Sequence, residues 1–252
     1  MMIPGSTTDQ SDLSIAVVAA QAAFRAAELA RDEPLRPRAK SVSADLVTDA
    51  DGKAETAAAE ILRTHRPDDA IIGEEGANDS GGRDRRWFID GIDGTVAFAN
   101  RIASWCSAVV LEDQATAVFD GHELYTAARG QGAHANGRRL AVRSGRALAE
   151  AHVATFFRQD RLVLPGVRAN ARRILDETGL LRHAGPGTLE LAWVAAGRLD
   201  AWVQPATDPW DWLPGALLVT EAGGVATTVE RGVRWYVAGS SAVVDELVAL
   251  LT

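Results

Sequence analysis

The segment Trp87-Phe88-Ile89-Asp90-Gly91-Ile92-Asp93-Gly94-Thr95 carries the strongest chemical signal in the chain. Its apolar start predicts a strand that delivers Asp90 at its end, with Asp93 following in a turn that Gly91 and Gly94 permit. Two carboxylates placed this way can converge on one point. Hard oxygen ligands of that kind suit Mg²⁺ or a similar cation. Thr95 opens a short helical segment to about Asn100, and free N–H groups at a helix start attract phosphate. Metal carboxylates beside an anion cradle are the parts that phosphoryl chemistry requires. Asp-Gly turns are also common surface loops, and the local pattern alone does not separate the two readings.

Two further segments favour the chemical reading. Ile71-Ile72-Gly73-Glu74-Glu75-Gly76 also ends a strand with adjacent carboxylates. Pro209-Trp210-Asp211-Trp212-Leu213-Pro214-Gly215 sets Asp211 at the head of an apolar helix, where taken alone it is most simply an N-cap.

The elements that position these groups follow from periodicity and breakers. Helices are predicted over 13–31, stopped by Pro34 and Pro37, and over 53–64, preceded by Asp49 and Asp51 as capping carboxylates. Further helices are predicted over 167–178, 188–196, 212–222 with Pro214 in the first turn, and 243–251. Strands are predicted over 70–73, 86–90, 104–111, 140–142, 152–156 and 199–203, with a hairpin of 117–119 and 123–126 around Asp120-Gly121. This mixture implies a layered α/β or α+β fold.

Composition bounds the function. The chain has 252 residues and a net charge of −8, from 26 Lys+Arg and 34 Asp+Glu. The acidic balance argues against a general grip on nucleic acid. Hydrophobic residues at 47% exclude a disordered chain. Gln21, Arg25 and Glu28 interrupt the most apolar early stretch, so no membrane span is expected. Residues 1–12 read as a disordered polar lead without signal-peptide features. The single Cys106 fits a reducing compartment, and a cytoplasmic location is expected. Cys106 reads as core, and the five histidines show no metal-ligand spacing.

Taken together, the three acidic segments resemble the inositol monophosphatase superfamily of Mg²⁺-dependent, lithium-sensitive phosphatases, from about Leu13 to the C-terminus. The family's Gly-Glu-Glu segment, its Asp-Pro-Ile/Leu-Asp-Gly-Thr motif and its distal Trp-Asp with Glu-Ala-Gly-Gly occur here in order. They are Gly73-Glu74-Glu75, the run Asp90 to Thr95, and Trp210-Asp211 with Glu221-Ala222-Gly223-Gly224. The run Asp45 to Asp51, Lys40, the middle loop with Tyr125-Thr126-Ala127, Gly130, Gly132-Ala133 and Asn136-Gly137, and Gly187-Thr188 are similar to other family segments.

The resemblance implies a five-layer αβαβα sandwich of the inositol monophosphatase and fructose-1,6-bisphosphatase type. It implies one catalytic domain over 13–252, in two lobes of about 13–143 and 144–252. It implies two or three Mg²⁺ ions: one held by Glu74, Asp90 and the Ile92 carbonyl, one by Asp90, Asp93 and Asp211, and a third near Glu74. Asp51 and Thr95 would form the pair that takes a proton from a metal-activated water, with Glu74 also counted catalytic. Gly94 and Thr95 would hold the phosphate, and Gly187, Thr188, Gln204 and Asp211 would meet the rest of a small phosphorylated substrate. Family members are often homodimers. Inositol 1-phosphate is the first substrate expected. Histidinol phosphate is the main alternative, ahead of fructose 1,6-bisphosphate and 3′-phosphoadenosine 5′-phosphate. From a different class, the alternative is a regulatory binding protein with low turnover.

Three departures bear on this. Gly91 stands where the family motif has Pro, which predicts a looser turn and weaker metal binding or lower activity, with the chemistry kept because every ligand side chain remains. Gln204 stands where inositol monophosphatases typically have Glu, keeping an acceptor and losing the charge. Leu189 is bulkier than the small residue often found there, and the chain is shorter between Glu112 and Val118.

Overall fold

Small apolar residues at helical spacing build the first layer. The computed structural model of the protein describes residues 11–31, 38–39 and 46–252. Helix α1 (Asp12–Arg31) buries Ile15, Ala16, Ala19, Ala20, Ala23, Ala27 and Ala30 on one face. Strands β1 (Arg38–Ala39) and β2 (Leu46–Val47) form a small antiparallel pair. Helix α2 (Asp49–His65) buries Ala50, Ala54, Ala58, Ala59 and Leu62 and packs along α1.

An eight-stranded sheet follows from β3 (Asp69–Gly73), β4 (Asn78–Asp79), β5 (Gly82–Asp93), β6 (Cys106–Leu111), β7 (Ala115–Phe119), β8 (Leu124–Ala128), β9 (Gly132–Ala135) and β10 (Arg138–Arg139). Its order is β10-β9-β8-β7-β6-β5-β3-β4. The short α3 (Thr95–Ala99) connects β5 towards β6. A five-stranded sheet, ordered β12-β11-β13-β15-β14, uses β11 (His152–Thr155), β12 (Leu180–His183), β13 (Ala201–Pro205), β14 (Val225–Arg231) and β15 (Val233–Gly239). Its helices are α4 (Gln159–Leu162), α5 (Val167–Glu177), α6 (Gly187–Ala195), α7 (Pro209–Glu221) and α8 (Ser241–Leu251).

Helices α1 and α2 cover the outer face of the large sheet, α6 and α7 lie between the two sheets, and α5 and α8 cover the far side. Three buried clusters fill the gaps, centred on Trp87 and Ile89, on Trp202 and Leu191, and on Trp235 and Val237. This is the five-layer αβαβα sandwich.

Several elements differ from the sequence expectation. Helix α1 has the length and apolar composition of a membrane-crossing helix, but its alanine face is packed inside the protein against α2, β6 and β7. Asp12, expected in a disordered lead, opens α1 and accepts from Arg66 Nε and Arg85 Nη2, each at 2.9 Å. Helix α2 begins at Asp49, so Asp49 and Asp51 lie inside its first turn. Pro209, not Pro214, occupies the first turn of α7, and Pro214 is interior. The segment 140–142 is not a strand; β10, just before it, is the strand that pairs with β9. The hairpin of β14 and β15 was not expected at all. Pro34, Pro37, Lys40 and Asp45 lie outside the described residues.

Gly91 is the most informative difference. It is buried inside β5, and its carbonyl accepts from Ser107 Oγ at 2.6 Å. A Cβ at this position would stand 2.7 Å from Glu55 N and 3.1 Å from the Asp51 carbonyl oxygen. The glycine is therefore a seat for the α2 backbone and not a slack turn. Proline carries a Cβ and would meet the same backbone. Gly91→Ala is expected to destabilise the fold by about 1–3 kcal/mol through this overpacking, and Gly91→Pro by at least as much. Thermal denaturation checks this; an unchanged midpoint for Gly91→Ala would refute the close-packing account.

Candidate active site

In a regular strand, residues three apart point to opposite faces. The register between β5 and β6 is regular to Asp90↔Ala108 and resumes at Asp93↔Cys106. The two strand segments differ by one residue, a bulge that turns Asp93 to the side of Asp90. The convergence expected from a turn is thus achieved inside the strand. Asp211 joins them from the first turn of α7, where the N-cap is Asp208 and not Asp211. One oxygen from each of Asp90, Asp93 and Asp211 lies within 4.8 Å of the others.

The parallel pairing of β3 with β5 brings Gly73 beside Ile89, so Glu74 follows directly next to Asp90, and Glu74 N donates to Ile89 O at 3.3 Å. Asp93 sits at the start of α6, where Thr188 N donates to its Oδ2 at 2.7 Å. Burial, joined by the charges of Glu74, Asp93 and Asp211, pushes Asp90 well above the usual carboxylate range. Burial, with the charges of Asp93 and Glu74, does the same to Asp211. Burial raises Asp93 only to about 6, because N–H groups at the head of α6 favour its ionised form. A buried set of oxygen donors that repel one another fits a hard divalent cation, which would relieve the repulsion.

A second pair lies beside this cluster. Thr95 Oγ1 donates to Asp51 Oδ1 at 2.7 Å, and also approaches the Ile92 carbonyl at 3.2 Å. Asp51 Oδ2 accepts from Thr48 N at 2.7 Å and Thr48 Oγ1 at 2.6 Å, as the capping box of α2. Asp51 is thereby fixed in orientation and is only 2% exposed.

One positioning residue had no reading in the sequence. Glu55, one turn after Asp51 on α2, is buried and accepts from Glu75 N at 2.6 Å and Ala77 N at 2.7 Å. Its carboxylate lies against Gly73, where any side chain would collide with it. Glu55 thus shapes the loop that carries Glu74. The carboxylate four residues after Asp51 on one helix face was the available signal.

A cavity of about 350 Å³ opens over the cluster, lined by Glu74, Asp90, Ile92, Asp93, Gly94 and Thr95 from one side, and by Gly187, Gln204 and Asp211 from the other. Gly94 has φ 100°, a left-handed conformation that suits glycine, and precedes α3. Thr188, expected to face substrate, is fully buried and does not line the cavity; its N–H holds Asp93, and its hydroxyl donates to the Asp211 carbonyl at 3.0 Å. Asp51 also lies behind the wall, reaching the cavity through Thr95. Cys106 is buried, with its thiol pushed up by burial and the neighbouring carboxylates, as suits a core residue.

The fold and this carboxylate cluster suit metal-dependent phosphoryl chemistry, and comparison with known proteins gives the family. The sequence model of the inositol monophosphatase family matches residues 9–250. The chain is 37% identical over 245 residues to an inositol-1-monophosphatase of Rhizobium meliloti, covering 92% of each. It is 34% identical over 206 residues to Nus factor SuhB of Escherichia coli, covering 79% of this chain and 77% of that one. The crystal structure of the extragenic suppressor protein suhB from Bartonella henselae superposes with a TM-score of 0.85 at 30% identity, covering 95% and 97% of the two chains. The chain belongs to the inositol monophosphatase family.

Two predictions arise from this geometry. Asp93, Asp90 and Asp211 have folded pKa values above the ordinary 3.8, so the metal-free fold binds more protons than the unfolded chain. Stability from this source is full below about pH 4 and is lost as pH rises through about 6 for Asp93 and higher for the other two. The EDTA-treated protein is expected to melt at a lower temperature at pH 8 than at pH 5, with Mg²⁺ raising the midpoint more at pH 8. A metal-free midpoint that rises over this range would contradict the repulsion argument. Glu55→Gln replaces one acceptor by a donor and is expected to weaken Mg²⁺ binding about 10–100-fold, read by calorimetry; unchanged affinity would separate Glu55 from the site.

Proposed function

We propose that the protein hydrolyses a small phosphate monoester with Mg²⁺, a polyol or sugar phosphate of which inositol 1-phosphate is the first to test. The observation that carries this is the convergence of Asp90, Asp93 and Asp211 within 4.8 Å, beside the Asp51–Thr95 pair. Glu74, Asp90 and the Ile92 carbonyl would hold one Mg²⁺, Asp90, Asp93 and Asp211 a second, and Glu74 would stand near a third. Bound there, the ions would supply a water of lowered pKa and charge compensation for the phosphate and leaving oxygen.

The chain's own groups do the rest. Thr95 Oγ1 gives its proton to the hydrogen bond with Asp51, so its lone pairs face the cavity as acceptors for a water proton. Asp51, fixed by Thr48, accepts the proton that Thr95 passes on. Gly94 and Thr95 begin α3, whose first N–H groups have no partner within the helix and would cradle the phosphate. Gly187, Gln204 and Asp211 would orient the remainder of the substrate. Thr188 is reassigned to positioning Asp93. Because these groups come from both sheets, residues 13–252 would act as one catalytic unit, with lobes of about 13–143 and 144–252.

The relatives named Nus factor SuhB favour a second reading, a regulatory binding protein on the same fold. Gly91 gives it no support, since that residue seats α2. Phosphate release from inositol 1-phosphate, histidinol phosphate, fructose 1,6-bisphosphate and 3′-phosphoadenosine 5′-phosphate, with Mg²⁺ or EDTA, tests the first reading. Metal-dependent release from at least one, abolished in Asp90→Asn, is expected. No release from any at high Mg²⁺ would overturn it in favour of the binding reading, and release that EDTA leaves intact would overturn the metal mechanism.

A further inference from the structure

The wall of the cavity opposite the carboxylates is built from the five-stranded sheet. Strand β11 runs parallel to both β12 and β13, so the carboxyl ends of three strands meet at one edge. Ligands of layered α/β folds collect at such edges. Here Arg158 follows β11, Arg161 lies in α4, Arg182 lies in β12 and Gln204 in β13, and all four line the cavity.

The guanidinium groups are held from behind. Asp160 takes Arg158 in a fork at 3.2 and 3.0 Å, and Glu190 takes Arg182 Nε at 3.1 Å; neither acid lines the cavity. Glu190 is wholly buried, with one oxygen on Arg182 and the other unpartnered, and burial raises its pKa to about 8. A proton on Glu190 would leave the Arg182 charge uncompensated. Arg161 meets Asp160 at 3.6 Å and Asp208 at 3.5 Å, longer than good hydrogen bonds, and among the described residues Asp208 is the only acid on this wall outside the metal cluster. Three arginines that line one cavity offer the planar donor forks that suit phosphate or carboxylate. Gln204 Oε1 is buried on the same wall and accepts no hydrogen bond. It calls for a donor, which an anion lacks and a hydroxyl supplies.

We infer that Arg158, Arg161 and Arg182 form a subsite for a second anionic group, so that the substrate is a hydroxylated phosphate monoester bearing another phosphate or a carboxylate. This rests on the phosphatase reading above. A neutral ring or chain alone would bring no charge of its own to a wall that carries three cationic residues.

Matched pairs test it: inositol 1,4-bisphosphate against inositol 1-phosphate, and 2-phosphoglycerate against glycerol 2-phosphate. The first pair reports a second phosphate and the second a carboxylate. In at least one pair, kcat/KM is expected to be about tenfold higher or more for the member with the second anion. Arg161→Gln is expected to lower that ratio about tenfold through KM. Arg182→Gln should do the same, but it strands Glu190 and risks the fold, so Arg161→Gln is the deciding variant. A ratio near one in the unaltered protein, or a ratio that Arg161→Gln leaves in place, overturns the subsite and leaves the phosphatase reading standing. The phosphatase reading fails separately, when no member of either pair and none of the four substrates above is hydrolysed. Calorimetry of inositol 1,4-bisphosphate then decides the subsite alone: weaker binding by Arg161→Gln supports it, and equal binding overturns it.

Discussion

Three aspartates, two buried and Asp211 half-buried, each bring an oxygen within 4.8 Å of the others and repel one another, and the fold has to hold them there. Burial raises the pKa of all three, and the charges of neighbouring carboxylates raise those of Asp90 and Asp211 further. No local preference of the chain would create such a cluster, so its cost is offset by packing elsewhere. Each aspartate is fixed by a different element. Asp90 rides a central strand paired on both sides, Asp93 sits on the far side of a bulge and on the N–H groups of α6, and Asp211 is carried by α7. Because α6 and α7 lie between the sheets, the cluster is assembled only when both sheets are packed on that layer.

Helix α2 couples this cluster to its neighbours. Asp51 and Glu55 lie four residues apart, on one helix face. One reaches Thr95 and the other reaches the loop after β3. Both contacts require α2 to lie very close to the sheet. Gly91 and Gly73 remove the side chains that would prevent it, and the alanines of α1 and α2 let the two helices sit close over the same region. The small residues that look unremarkable in composition are thus what sets the separation between helix and catalytic strand.

Much of this was legible in the sequence, and the failures have physical causes. Periodicity located the long helices, because an apolar stripe is a local property. The acidic segments stood out because carboxylates beside glycine at strand ends are chemically unusual together. The bulge between Asp90 and Asp93 was not legible, because it is defined by the partner strand β6 and not by β5 alone. Thr188 was misplaced for a similar reason: whether a hydroxyl at a helix start faces substrate or a neighbouring carboxylate depends on which element packs behind it. Gly91 was read from its own backbone freedom, whereas its role is set by Glu55 and Asp51 across the layer. The β14–β15 hairpin escaped notice because β14 is largely exposed and lacks an apolar alternation.

The division between the two sheets has a consequence for how such a site can change. The eight-stranded sheet supplies Glu74, Asp90, Asp93 and, through α3, Thr95, with hydrogen bonds that leave these groups little freedom. The five-stranded sheet supplies Arg182 and Gln204, with Arg158 and Arg161 on the connection that follows β11. Mutual repulsion forbids much variation in the first group, since moving one carboxylate alters the balance of all three. The arginines of the second group are held by Asp160, Asp208 and Glu190, with Arg182 also lying over the Trp193 ring. Reach, charge and hydrogen-bonding character can therefore change on the substrate wall without disturbing the metal-facing carboxylates. Asp93 and Asp211 are the exceptions, because α6 and α7 touch both sheets, and substitutions there would alter chemistry and recognition together.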